Sequence, residues 1–171
     1  ILSAVLLTVI IWTIWGNTAL MVNTVTVTAG RIPAAFSGFR IVQVSDLHNA
    51  EFGENNVRLL ELLSESGPDI IVITGDLVDS GHTDIDIAIR FAEEAARIAP
   101  VYYVTGNHEA RLSQYDRLRN GLEAADVSML EDRAMELERD GEKITLVGLS
   151  DPDFTVRSDI FGEVPAMVST K

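Results

Sequence analysis

Three short clusters stand out for the chemistry their side chains can do together: Asp46-Leu-His48, Gly75-Asp76 and Gly106-Asn-His-Glu109. Each closes a short apolar run. Together they offer two carboxylates, two imidazoles and an amide, without sulfur. Such oxygen and nitrogen donors suit hard or borderline divalent cations such as Mn, Fe or Zn. Asp46 and His48 stand two apart, so on extended backbone both side chains project to one side. A glycine before Asp76 and another before Asn107 permit the sharp exits that turn a side chain back over a sheet edge. Each cluster alone has an ordinary explanation, since an Asp after a strand commonly caps a helix or shapes a turn. Gly-Asn-His-Glu asks for more, because no turn calls for His and Glu together. All three at successive strand ends are hard to explain as turns.

The elements that must carry these clusters alternate in type. A strand over Arg40–Ser45 leads into Asp46. A helix capped by Asn55 or Asn56 follows, with Val57, Leu60 and Leu63 at helical spacing and Gly67-Pro68 as its stop. The apolar run Asp69–Thr74 leads into Gly75-Asp76, and a second helix is expected from about Asp84 to Ala99. A third strand, Val101–Thr105, leads into Gly106, and a third helix covers roughly Gln114 to Ala125. Short, continuously apolar strands alternating with helices indicate parallel βαβ units. In an open sheet of that kind ligands bind outside the carboxyl ends of the strands, near a reversal of strand order. The three clusters are therefore candidates to meet. After Ala125 the pattern changes: Met135–Arg139 and Lys143–Val147 flank Asp140-Gly141, a hairpin signal, and Asp151-Pro-Asp-Phe154 reads as a loop.

The chain carries 26 acidic and 13 basic residues, a formal net charge of −13. A polyanionic nucleic-acid partner is not expected, because phosphate backbones call for clustered Lys and Arg. A small phosphorylated substrate stays open, since bound cations reverse the local field. The absence of cysteine excludes disulfides and thiolate metal sites.

Residues 1–22 bear no charge, and none appears until Arg31. That length meets the roughly 20-residue requirement for crossing a bilayer, and Trp12 and Trp15 suit an interface. The expectation is a single uncleaved membrane anchor over 1–22, with Val27-Thr-Ala29 the one candidate cleavage site. Residues 23–37 read as a linker with a first strand over Asn23–Thr28, and the domain carrying the three clusters is placed at 38–171, incomplete at its C-terminal end. The chain begins with Ile, so missing sequence is expected at its start, and the side of the membrane is not readable.

Ser45-Asp-Leu-His48, Thr74-Gly-Asp76 and Thr105-Gly-Asn-His-Glu109 resemble the first three motif blocks of the calcineurin-like metallophosphoesterases. Ile41–Asn49, Pro68–Asp79 and Gly148–Pro152 resemble its membrane-anchored bacterial branch, so the likeness spans about residues 38 to 155. It implies an α/β fold: the N-terminal half of a metallophosphoesterase β-sandwich flanked by helices, preceded by one transmembrane helix. It implies two divalent ions about 3.5–4 Å apart whose shared hydroxide hydrolyses a phosphodiester or pyrophosphate. Asp46 and His48 would hold the first metal, Asp76 would bridge both, and Asn107 would ligate the second. His108 would not bind metal but face the phosphate, stabilising charge or protonating the leaving group, and Glu109 would orient its neighbours. With an anchor, the substrate is a phosphorylated small molecule or a lipid-linked phosphate.

The family's later blocks, a lone His and a Gly-His-x-His, are absent. The remaining histidine, His82, does not match them and reads as a loop residue. Asp76 and Asn107 alone are too few ligands for a tight second metal, and the missing half also supplies the second sheet. The chain is thus expected to be part of a longer protein or the product of a split or decaying gene. The leading expectation is a membrane-anchored phosphohydrolase. The alternative is a non-catalytic tethered remnant, or a half-domain needing a second chain. A dinucleotide-binding fold is set aside because no Gly-x-Gly-x-x-Gly follows the first strand.

Overall fold

A computed structural model describes residues 3, 5–9, 12–13 and 19–155. Four parallel strands stand side by side: β1 (Ile41–Val44), β2 (Ile70–Thr74), β3 (Val101–Val104) and β4 (Ser128–Met129). Their spatial order follows the sequence, β1-β2-β3-β4. The expected reversal of strand order is therefore not found among the described strands. Every crossover instead steps the same way across the sheet, so adjacency brings the strand tips together. The register Ile73↔Val44 and Ile73↔Tyr103 sets the ends of β1, β2 and β3 at one level.

The crossovers are α1 (Val57–Ser66), α2 (Ile85–Ala96) and α4 (Tyr115–Ala124), with a one-turn helix α3 (Asn107–Ala110) after β3. Alternate residues of each strand face opposite ways. Ile71, Ile73, Val101 and Tyr103 join Leu63, Phe91, Leu118 and Leu122 of the helices in the main core. Ile70, Tyr102 and Val104 face the other way and meet Leu137 and Leu146. Those two belong to an antiparallel hairpin of β5 (Arg133–Arg139) and β6 (Glu142–Gly148). The parallel sheet thus carries helices on one face and a second, two-stranded sheet on the other. Sheets buried on both faces read as unbroken apolar runs, and β2 and β3 do.

Several local expectations change. Residues 23–28 alternate as a strand would, yet they pair with no strand among the described residues. Val25 and Val27 stay exposed, because no sheet edge lies beside them. Asn56 occupies the cap position of α1 in left-handed backbone (φ 61°) but does not cap it. Its Oδ1 accepts instead from Phe52 N–H at 2.9 Å. Asp84 does cap α2, accepting from the N–H groups of Asp86 and Ile87. Asp151–Phe154 is no loop: Pro152–Thr155 form one helical turn, α5, opened by Pro152 and by Asp151 Oδ1 accepting Asp153 N–H. Phe154 is buried there against the Tyr115 ring. Among the described residues no helix is long and apolar enough to cross a membrane. Residues 3, 5–9 and 12–13 are helical, and most of the remaining anchor expected over 1–22 lies outside the described residues.

One buried carboxyl gives the fold a pH dependence. Glu131 is nearly covered and accepts from the Tyr115 hydroxyl, with Arg119 3.9 Å away. Burial pushes its carboxyl above the ordinary glutamate range, against the pull of Arg133. The folded chain therefore holds this proton more tightly than the unfolded one, and the stability that proton supplies is lost as pH rises through the raised value. Replacing Glu131 with glutamine keeps an acceptor for Tyr115 and removes the charge. Thermal unfolding of the variant is expected to lose part of the wild-type decline between acid and neutral pH, and an unchanged decline would refute this.

Candidate metal centre

The site is built where β1, β2 and β3 end. Beyond β1 the backbone is not extended, contrary to expectation: Asp46, His48 and Asn49 have φ of 55°, 48° and 58°. Left-handed backbone is costly for most residues, but Asp and Asn tolerate it. The departure is held from the neighbouring tip. Asp46, His48 and Asn49 donate their N–H groups to the carbonyls of Gly75, Asp76 and Leu77 at 3.2, 2.9 and 3.1 Å. Hydrogen bonding between the two segments thus continues past the strands and fixes where Asp46 and His48 point. His48 Nε2 lies 3.8 Å from Asp46 Oδ1 and 3.9 Å from Asp76 Oδ2.

The two glycines act differently. Gly75 has φ of 86° and turns the chain out of β2, while Asp76 itself follows at φ 50°. Gly106 has ordinary backbone and is needed for close approach. A methyl group there would stand 2.3 Å from Asp76 Oδ1 and 2.6 Å from its amide nitrogen.

Glu109 lies beneath the site and is fully buried. Its carboxylate accepts three backbone N–H groups, from Gly106 at 2.8 Å, Asp76 at 2.9 Å and Val78 at 3.2 Å. One side chain thus ties the tip of β3 to the tip of β2. Burial, with the charge of Glu109 beside it, pushes the phenol of Tyr103 well up.

His108 donates its backbone N–H to Asp76 Oδ1 at 2.9 Å, and its ring stands edge-on to His48 with centroids 4.5 Å apart. Its Nδ1 accepts the backbone N–H of Ser80 at 3.1 Å, with the Ser80 hydroxyl at 3.3 Å. An accepting Nδ1 assigns the proton of the neutral ring to Nε2. Asp79 Oδ2 lies 3.9 Å from the same nitrogen. The N–H groups of His82 and Gly81, followed by the nearby His108, hold the Asp79 carboxyl below its usual range. His82 otherwise sits in this turn, as expected, outside the cluster.

Ring nitrogens of His48 and His108 and a carboxylate oxygen of Asp76 lie within 4.8 Å of one another, a group that could hold a metal ion, and His108 would join it only by giving up its bond from Ser80 N–H or its Nε2 proton. Asp46 flanks His48 on the more exposed side. Asp46, Asp76 and Asn107 line one end of a 590 Å³ cavity between the parallel sheet and the hairpin. The donors fit a divalent cation. The 3.8 and 3.9 Å gaps around His48 Nε2 are too long for hydrogen bonds, but they suit atoms that each stand about 2.0–2.2 Å from one shared ion. Sequence reasoning did not assign Asn49, Asp79 or Ser80. Asn49 directly follows His48, and Asp79 and Ser80 sit three and four residues after Asp76, but their partners lie on other loops.

A family model described as calcineurin-like phosphoesterase matches residues 39–158. Over 129 residues, 71% of this chain and 29% of the relative, the sequence is 28% identical to "Transmembrane protein with metallophosphoesterase domain" of Danio rerio. It is 40% identical over 60 residues, 34% of this chain and 21% of the relative, to "Uncharacterized metallophosphoesterase YkuE" of Bacillus subtilis. It is 38% identical over 100 residues, 50% of this chain and 33% of the relative, to "Probable cyclic nucleotide phosphodiesterase" of Rhodococcus erythropolis. The chain spans no more than about a third of the length of these three relatives.

Proposed function

Because the chain belongs to the calcineurin-like phosphoesterase family, we propose that its protein is a metal-dependent phosphohydrolase cleaving a phosphodiester or pyrophosphate. The observation that carries this reading is the convergence of His48, Asp76 and His108 at three adjacent strand tips. In it Asp46, His48, Asp76 and Asn107 would hold the divalent ions. Mn, Fe or Zn suits these donors. When bound, such ions lower the pKa of water to near neutrality and absorb charge on the phosphate.

The protein's own groups do the rest. Glu109 fixes the backbone from which Asp76 and Asn107 project. His108, with Nδ1 occupied by Ser80 N–H, presents Nε2–H as a hydrogen-bond donor to a phosphate oxygen. Protonating the leaving oxygen is a second role. It requires a protonated ring, with Nδ1–H turned to Asp79 Oδ2 from its present 3.9 Å.

Membrane attachment through residues 1–22 belongs to the same proposal. It is supported by their uncharged composition and by the word "transmembrane" in the names of two relatives, from Danio rerio and Bos taurus. A phosphorylated small molecule or a lipid-linked phosphate is the substrate class, and the relative named as a probable cyclic nucleotide phosphodiesterase favours a diester. The acidic balance of the chain argues against nucleic acid.

The test uses full-length protein, Mn²⁺ titration by calorimetry and bis(p-nitrophenyl) phosphate as a generic diester. Expected are two bound Mn²⁺ per chain and turnover that chelation abolishes and Mn²⁺ restores. Metal binding without any turnover would replace the enzyme reading with a tethered binding module.

A further inference from the structure

Asn49 occupies a position that the proposed chemistry leaves unused, yet its side chain has three partners. Its Oδ1 accepts from Asp79 N–H at 3.0 Å and from Asp84 N–H at 3.2 Å, and its Nδ2 donates to Asp84 O at 2.6 Å. An asparagine at φ 58° has an ordinary explanation, since Asn shapes left-handed turns by bonding its own local backbone. That explanation does not fit here. All three partners lie 30 to 35 residues away, on the segment joining β2 to α2. Asn49 therefore contributes nothing to its own turn beyond its conformation. It grips the N-cap residue of α2 by both amide and carbonyl, and Asp79 by its amide.

The gripped segment also carries Ser80, whose N–H meets His108 Nδ1. One amide side chain thus stands between the loop of His48 and the loop that orients His108. We infer that Asn49 is a positioning residue that sets the spacing of the two imidazoles by clamping the β1 loop to the Asp79–Asp84 loop. The reaction this serves is the one proposed above, and the inference rests on that reading for its catalytic consequence. The clamp itself does not.

The test compares Asn49→Ala and Asn49→Asp in the full-length protein. Asn49→Ala removes all three bonds. Its metal-free form is expected to lose hydrogen-exchange protection at the amides of Asp79 and Asp84, while β2 and β3 stay protected. With Mn²⁺ and a diester, kcat is expected to fall about 10- to 100-fold, the range found for residues that orient metal ligands, with KM and Mn²⁺ affinity little changed. Asn49→Asp keeps the two acceptor bonds and loses the donor to Asp84 O. It is expected to recover protection at both amides and part of kcat. Wild-type exchange at both amides in Asn49→Ala would overturn the clamp, and a wild-type kcat would overturn its role. Were Asn49→Ala not to fold, the wild-type protein decides alone, since slow exchange at both the Asp79 and the Asp84 amides supports the clamp and exchange at the rate of an open loop refutes it. If the wild-type protein shows no metal-dependent hydrolysis, the phosphohydrolase reading fails separately, and the exchange data still decide the clamp.

Discussion

Replacing Asp76 with asparagine is expected to lower kcat/KM by at least about 100-fold, the scale on which loss of one preorganised electrostatic group is felt, and to weaken Mn²⁺ binding in parallel. Asp76 is buried, and one of its oxygens is hydrogen-bonded. Oδ1 accepts the backbone N–H of His108, and Oδ2 faces His48 Nε2 at 3.9 Å. Asparagine has nearly the same shape and one oxygen. If that oxygen keeps the bond to His108, an NH2 group faces His48 and any cation between them. If the amide flips, the N–H of His108 loses its acceptor. Either way a negative charge and a ligand atom are gone, while the backbone bonds at Asp76 survive. The fold is therefore expected to persist, as an unchanged circular dichroism spectrum will show. Turnover within tenfold of wild type would remove Asp76 from the centre of the site.

The second large effect is expected at Glu109, and it falls on stability as well as activity. Its buried carboxylate satisfies three N–H groups from two strand tips. Glutamine supplies one oxygen for the three and sets an NH2 against at least one donor. A buried donor left without an acceptor costs about 1–3 kcal/mol. Glu109→Gln is thus expected to lose roughly 3 kcal/mol, which at this chain length lowers the melting temperature by about 10 °C. Glu109→Ala strands all three donors and is expected to lose more. Residual activity in the glutamine variant is expected to drop about 10- to 100-fold even well below its melting point, because the backbone behind Asp76 and Asn107 is no longer held. A melting temperature within about 2 °C of wild type would show that water replaces the carboxylate at little cost.

How much of this was legible depended on whether the controlling interaction is local. Ile70–Ile73 and Val101–Val104 announced parallel strands because both faces of each are buried, leaving an unbroken apolar run. Asp140 and Gly141, at φ of 52° and 81°, adopt the left-handed pair that their types suggested for a hairpin. The glycines before Asp76 and Asn107 were readable as sharp exits, although at Gly106 the need turned out to be room for Asp76. Ser128–Met129 was not readable, since two residues carry no period. The left-handed run after β1 was missed because it is imposed by carbonyls of the next strand's tip. Asn49 and Ser80 were missed for the same reason: their partners lie about thirty residues distant, and no spacing rule encodes a bond between two loops. The alternation at 23–28 misled in the opposite sense, because a strand pattern needs a neighbour as well as a period.

The one-directional march of the sheet also bears on the order in which the molecule assembles. The bonds that unite the site span 28 to 35 residues: Asn49 to Asp79 and Asp84, Asp76 to His108, and Ser80 to His108. Each becomes available only after a helical crossover has closed, whereas the β5–β6 hairpin joins neighbouring residues and can form in about 1–10 μs by itself. No fragment holding a single crossover contains all three tips. The cation-binding geometry is therefore a late product of folding, completed only when β1, β2 and β3 are all in register. A cation drawn to this cluster would find it only once the second crossover is complete, and would report a finished sheet rather than template an unfinished one.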